Sequence, residues 1–150
     1  MKTIFIYYSY TGNGDIVKEY LTKDNELETR KVIRKKALPK SFFWGVLTGG
    51  FLAGTNHKDE LVDYNNDVSE FDRVIIASPI WNGRFSSPIN TVLKETNLEN
   101  KDLVFIFYSG SGEAPKAVKR INKEYPNAKY IILQEPKKYP DELKKLDELK

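Results

Sequence analysis

Apolar residues along this chain fall in short uninterrupted runs separated by amphipathic stretches, and the alternation predicts the architecture. Thr3-Ile4-Phe5-Ile6-Tyr7-Tyr8, Arg73-Val74-Ile75-Ile76-Ala77-Ser78 and Leu103-Val104-Phe105-Ile106-Phe107-Tyr108 read as strands covered on both faces. Lys129-Tyr130-Ile131-Ile132-Leu133 is a further strand, and Glu26 to Ile33, where charges interleave Leu27, Thr29, Val32 and Ile33, is a half-exposed edge strand. Between them the period changes. Ile16, Val17, Tyr20 and Leu21 make one helical stripe, Ile89, Val92 and Leu93 a second behind Ser87-Pro88, and Ala117, Val118 and Ile121 a third behind Ala114-Pro115. Pro140-Asp141-Glu142 opens a C-terminal helix with Leu143, Leu146 and Leu149 on one side.

Strands alternating with helices predict one parallel sheet with helices on both faces. The most apolar stretch, Ser41 to Gly54, is too short and glycine-rich to span a bilayer, which takes ~20 apolar residues. It is expected to be the helix that covers the sheet between the second and third strands, with Phe42, Phe43, Trp44 or Phe51 as an apolar lip or dimer contact in the alternative. Residues 59–72 are polar and read as a surface connection.

With 150 residues the chain fits a single domain, 1–150, that can bury a core without staples. It has no cysteine, which removes disulfides, thiolate nucleophiles, iron–sulfur clusters and Cys-based zinc sites, and His57 alone cannot build a His-rich metal site. Lysine and arginine number 24 against 21 acids, for a net charge of +3. The basic run Lys31 to Lys40 carries no recognition-helix or stacking pattern, so it reads as a solvated edge rather than a nucleic-acid surface. The start of the sequence lacks a signal-peptide pattern, and the expected location is cytoplasmic, away from membranes.

Chemistry in an open parallel sheet belongs at the carboxyl ends of the strands. The first strand runs into Ser9-Tyr10-Thr11-Gly12-Asn13-Gly14, the third into Ser78-Pro79-Ile80-Trp81-Asn82-Gly83-Arg84-Phe85, and the fourth into Ser109-Gly110-Ser111-Gly112-Glu113. Gly12 and Gly14 let a backbone approach a ligand, Ser9 and Thr11 bring hydroxyls, and a following helix start brings free amides and a positive dipole end, the requirements of an anion site. The turn has no lysine or arginine and lacks the third glycine of the dinucleotide fingerprint, Val17 standing there. An ordinary capped strand-to-helix turn meets the same pattern. A phosphate cradle beside an aromatic wall and a donor-rich loop suits a phosphorylated, planar heteroaromatic ligand.

Those three loops resemble the flavodoxin-like proteins, which bind flavin mononucleotide, FMN. The hydroxyl-x-Thr-Gly-Asn-Thr phosphate loop of that family is matched by Ser9 to Gly14 at five positions, with Gly14 where Thr is usual and one hydroxyl contact to phosphate thereby lost. Ser78 to Gly83 is similar to the Pro-hydrophobic-Trp loop of the short bacterial branch, and Ser109 to Gly112 to the loop along the flavin's polar edge. The apolar stretch around Trp44 to Gly54 also looks like one in that branch, so the likeness covers essentially the whole chain. The resemblance implies a five-stranded sheet of order 2-1-3-4-5 and bound FMN. It implies that Ser9 to Gly14 hold the phosphate, that Trp81, helped by Tyr10 or Phe85, flanks the ring, and that backbone at Pro79 to Gly83 and Ser109 to Gly112 meets its edge. Electron transfer to a redox partner protein or small acceptor follows, as monomer or homodimer. An FMN-dependent NAD(P)H oxidoreductase is the alternative, which the basic charge favours over an acidic shuttle. A cofactor-free partner-binding module is the second.

Overall fold

The computed structural model describes residues 1–37, Trp44, Leu47, Thr48, Phe51 and residues 57–150. Five parallel strands form its centre: β1 (Thr3–Tyr7), β2 (Glu28–Lys31), β3 (Arg73–Trp81), β5 (Asp102–Ser109) and β6 (Lys129–Gln134). Their spatial order is β2-β1-β3-β5-β6, the expected 2-1-3-4-5 once one short extra strand is set aside. That strand is β4 (Arg84–Phe85), antiparallel to the end of β3 with Ile80 opposite Phe85 and Trp81 opposite Arg84. Its turn is Asn82-Gly83, both at positive φ (+51° and +74°), as a two-residue hairpin turn demands.

Each central strand presents alternate residues to two separate cores. Phe5, Tyr7, Ile75, Ala77, Val104 and Ile106 meet Val17 and Leu21 of α1 (Asn13–Thr22) and Leu143 and Leu146 of a C-terminal 3-10 helix (Pro140–Leu149). Ile4, Ile6, Val74, Ile76, Phe105 and Phe107 meet Ile89 and Val92 of α2 (Ser87–Glu95) and Ala117 and Ile121 of α3 (Pro115–Glu124). Strands with both faces covered have no polar side to display, which is why their sequences run apolar without alternation.

Three expectations are corrected. The edge strand keeps only Glu28–Lys31, since Leu27 and Val32 turn into the flanking connections. The C-terminal segment is 3-10 rather than α, though Leu143 and Leu146 are buried by it as the spacing requires. Most of Ser41 to Gly54 lies outside the described residues, Phe42 and Phe43 included; within it Trp44, Leu47, Thr48 and Phe51 are helical. Trp44, Leu47 and Phe51 are exposed, so these three do not cover the sheet.

Candidate functional site

β1, β3 and β5 are adjacent and parallel, with Tyr7 beside Ala77 and Pro79 beside Tyr108, so the loops that follow them leave one edge of the sheet. Tyr108 ties the edge together, because its buried hydroxyl donates to the carbonyl of Tyr8 across β3. Burial holds the Tyr108 hydroxyl well above its ordinary pKa.

The first loop turns sharply at Gly12, whose φ of +96° suits glycine, and Gly12 caps α1. The Gly12 carbonyl accepts from the Ile16 amide at 3.1 Å, and the Ser9 hydroxyl accepts from the Gly14 amide at 3.1 Å. Asn13 Nδ2 donates to Thr11 Oγ1 at 3.2 Å. First-turn amides have no acceptor inside their helix, and of these the Gly14 amide is taken by Ser9. Gly14 has a steric reason. A Cβ there would stand 2.7 Å from Tyr108 Oη, 2.9 Å from Ser9 Cβ and 3.0 Å from Tyr7 Cδ2. Threonine, usual in the family the sequence resembles, has no room in this chain because two tyrosines occupy its space.

Asp15, the acid next to this turn, is directed to other partners. It accepts from Lys31 Nζ at 2.7 Å and from the Tyr7 hydroxyl at 3.2 Å. Burial pushes the Asp15 carboxyl up, but the hydrogen bond and charge of Lys31, with hydrogen bonds from Tyr7 and Ser9, outweigh it and hold the group below the usual carboxylate range. Tyr7, desolvated and beside that carboxylate, is pushed up to about 12.

Sequence reasoning missed a cation at this turn. Lys137, beyond β6, donates its backbone N–H to Asn13 Oδ1 at 2.9 Å and its Nζ to the Thr11 carbonyl at 3.3 Å. Thr11, Asn13, Glu135, Lys137 and Lys138 line an open cleft of about 420 Å³. No local pattern signals this, since the lysine is 126 residues from Thr11 along the chain. The turn thus has a cation at its rim while having none in its own sequence.

The second loop is the β3–β4 hairpin. Its half-buried Trp81 meets Tyr10 of the first loop edge-on at 6.4 Å and Tyr8 at 5.8 Å, which brings the two loops together. Ser78 Oγ, fully buried, accepts from the Ser86 amide at 3.0 Å and lies 2.9 Å from Ser86 Oγ, closing the hairpin's base. Ile80 is a strand residue packed on the core and Pro79 lies within β3. Phe85 is corrected. It is 1% exposed, in edge contact with Phe105 and Phe107 at 5.6 and 5.1 Å, so its ring is core and cannot flank a ligand at the edge.

The third loop leaves β5 and is pinned to β6. Ser109 Oγ donates to the Glu113 carbonyl at 2.7 Å, Gln134 Nε2 to the Gly110 carbonyl at 3.2 Å, and the Glu135 amide to the Ser109 carbonyl at 3.2 Å. Ser109 therefore serves the loop, while Gly110 and Ser111 are exposed. Gly112, at φ +76°, sits against Gln134, where an added Cβ would lie 3.5 Å from Gln134 Cβ.

A buried ionic network braces the first two loops from beneath. Asp59, 8% exposed, accepts from Ser87 Oγ at 2.5 Å and pairs with Arg34 at 2.7 Å, with His57 3.5 Å away. Burial raises the Tyr8 hydroxyl, and the charge and hydrogen bond of Arg34 oppose the rise. His57 belongs to this brace. Among the described residues no group of three or more His, Cys, Asp or Glu could hold a metal ion, and no helix is long and apolar enough to cross a membrane.

The sequence matches no family model and no curated protein. The backbone does find relatives. A candidate flavoprotein of Bacteroides eggerthii superposes with a TM-score of 0.78 over 97% of this chain and 96% of its own, at 19% identity. A flavoprotein of Lactobacillus acidophilus, in complex with FMN, gives 0.68 over 93% and 97% at 20% identity. A flavodoxin from the domain Archaea gives 0.52 over 97% and 93% at 17% identity. The fold is flavodoxin-like. In a flavodoxin-like sheet the strand order reverses between β1 and β3, and the loops that contain Thr11 and Trp81 leave from that switch point.

Proposed function

We propose that residues 1–150 act as one flavodoxin-like domain that binds FMN non-covalently at the edge beyond β1, β3 and β5, and that electrons move through it. One observation carries this reading: a helix start built on Gly12 and Gly14 lies beside the Trp81–Tyr10 ring pair, so anion donors and a flat aromatic wall share one place. Gly12, at φ +96° with only the Lys137 side chain near where its Cβ would stand, leaves the turn open to a ligand needing close backbone approach. That a fold relative at 20% identity is in complex with FMN supports the choice of cofactor.

In this reading the Thr11 hydroxyl and the amides of the Tyr10 to Asn13 turn hold the phosphate, with Ser9 holding the Gly14 amide and so the shape of the turn. Lys137 balances part of the phosphate charge from the rim, and Asp15, occupied by Lys31, adds little repulsion. Trp81 and Tyr10 flank the ring system, an aromatic contact worth roughly 0.5–1.5 kcal/mol beyond area burial. Backbone at Pro79, Ile80, Asn82, Gly83 and Gly110 to Gly112 meets the ring's polar edge. When bound, the flavin supplies the electron-accepting and electron-donating chemistry, and the chain orients it and excludes water. No side chain is given a proton-transfer role.

The test is to strip the protein of ligand, titrate FMN and follow flavin fluorescence. Saturable quenching at one equivalent is expected; unquenched fluorescence refutes the proposal. Adding NADH or NADPH to the loaded protein then separates a shuttle, whose flavin colour persists until a reductase is supplied, from an oxidoreductase, whose colour bleaches at once.

A further inference from the structure

A second cleft lies between the β3–β4 hairpin and α3, with a volume of about 610 Å³. Six cations line it: Lys58, Arg84, Lys116, Lys119, Arg120 and Lys123. Its one acid, Glu124, is held by Arg120 at 3.0 Å. The groove is therefore more positive than the whole chain, whose net charge is +3. Lys116, Lys119 and Lys123 are exposed and form no ion pair among the described residues.

The cations have a regular arrangement. Lys116, Lys119, Arg120 and Lys123 recur at i, i+3, i+4 and i+7 of α3, one stripe with neighbours about 5–6 Å apart and a length of about 10 Å. Arg84 and Lys58 come from other segments and face the same space. Like charges at this spacing repel, and the three exposed lysines of the stripe have no acid paired to them among the described residues, so an anion between the walls would relieve that repulsion.

The floor is rigid. Arg120 Nη1 donates to Asn90 Oδ1 at 2.7 Å, its Nε to Glu124, and its guanidinium lies 5.4 Å from the centre of the Phe85 ring. Asn90 is buried and donates to the His57 carbonyl at 3.1 Å, and the Ala117 amide donates to the Gly83 carbonyl at 2.9 Å, joining helix to hairpin. A cation already fixed in place loses little freedom on binding a ligand.

We propose that this groove binds a small polyphosphate, a molecule carrying at least two adjacent phosphate groups. Its volume falls in the range of small-ligand sites, about 300–1,000 Å³, while a stable protein interface needs a broad surface of about 800 Å² per partner. Single-stranded nucleic acid stacks on exposed aromatic rings, and the groove's one ring, Phe85, is buried. A row of cations about 10 Å long matches a chain of linked phosphates rather than a single anion. The groove adjoins the hairpin, with Gly83 against Lys116, but none of its lining cations is among the residues proposed to hold flavin, and the inference does not depend on flavin binding.

The test is calorimetric titration of the ligand-free protein with inorganic tripolyphosphate in physiological salt. The expected result is one-to-one binding with Kd below about 1 mM, weakened about tenfold by the double substitution K116Q/K123Q, two exposed charge contacts at the upper end of surface ion-pair strength. The double substitution K94Q/K129Q, which removes two exposed lysines outside the groove, should leave it unchanged. ADP and ATP in parallel separate the two sources of the chemistry: binding tighter than tripolyphosphate assigns the groove to a nucleotide, and equal binding to a free polyphosphate. No heat with tripolyphosphate, equal weakening by both double substitutions, or tighter binding of hexaglutamate than of any phosphate overturns the proposal. Both variants alter only exposed side chains, so their thermal unfolding should match the parent's.

Discussion

Substitution of Gly14 by alanine or threonine is the sharpest test of how this edge is built. The added Cβ would stand 2.7 Å from Tyr108 Oη and 2.9 Å from Ser9 Cβ, both closer than such contacts allow, and 3.0 Å from Tyr7 Cδ2, tighter than nearly all of them. None of these yields cheaply: Tyr108 is 4% exposed with its hydroxyl bound to Tyr8, and Tyr7 is 4% exposed with its ring stacked on Phe5 at 5.0 Å. Overpacking a filled site costs about 1–3 kcal/mol, and displacing the Tyr108 hydroxyl adds about 1 kcal/mol. Alanine's better helix propensity returns about 0.5–1 kcal/mol. The net loss for Gly14→Ala is about 2 kcal/mol, and Gly14→Thr should lose more. Urea unfolding of the ligand-free protein measures it. A double-mutant cycle assigns the cause, because Tyr108→Phe removes the atom nearest the new methyl. Gly14→Ala should therefore cost about 1 kcal/mol less in the Tyr108→Phe background than in the parent, through coupling between touching groups. An alanine variant as stable as the parent, or a cycle that closes with no coupling, refutes the steric account of why glycine stands here.

Lys137→Met should weaken FMN binding about fivefold, the value of an exposed charge contact, and leave riboflavin binding unchanged; equal loss for both ligands would place Lys137 away from the phosphate. Asp15, held low by Lys31, contributes stability that is complete above the ordinary carboxylate pKa and is lost as pH falls through its depressed folded value. Lys31→Met should remove that dependence, so the two proteins' unfolding free energies converge between about pH 5 and 2, and a gap constant with pH would contradict the pairing. Arg34→Met strands Asp59 in a buried site and should cost about 3 kcal/mol in urea unfolding, partly restored by Asp59→Asn; an unaffected variant would mean the brace contributes nothing.

The sheet was legible because parallel strands covered on both faces must be apolar throughout, and Ile4, Val74 and Phe105 lie in three such runs. The glycines of the first loop were equally legible, since a sharp strand-to-helix turn leaves few other choices at Gly12. Asn82-Gly83 announced a turn, and the hairpin with Arg84–Phe85 follows from the positive φ that both residues adopt. What stayed hidden was long-range. Phe85 read as a free aromatic beside Trp81, yet hairpin pairing puts it opposite Ile80, into the core with Phe107. Lys137 could not be assigned to a turn 126 residues earlier, because that neighbourhood exists only once β6 lies in the sheet. The reason for Gly14 also needed tertiary contacts, namely where the Tyr7 and Tyr108 rings fall.

The central claim is that three loops of one sheet edge share a single FMN. Amide chemical-shift mapping of the isotopically labelled protein, with and without FMN, tests it most directly. Shifts are expected at Ser9 to Gly14, Ile80 to Gly83 and Gly110 to Gly112, reaching Ala117 through its bond to Gly83, with Lys119 to Lys123 undisturbed. Shifts confined to the α3 groove, or none at saturating FMN, would contradict it.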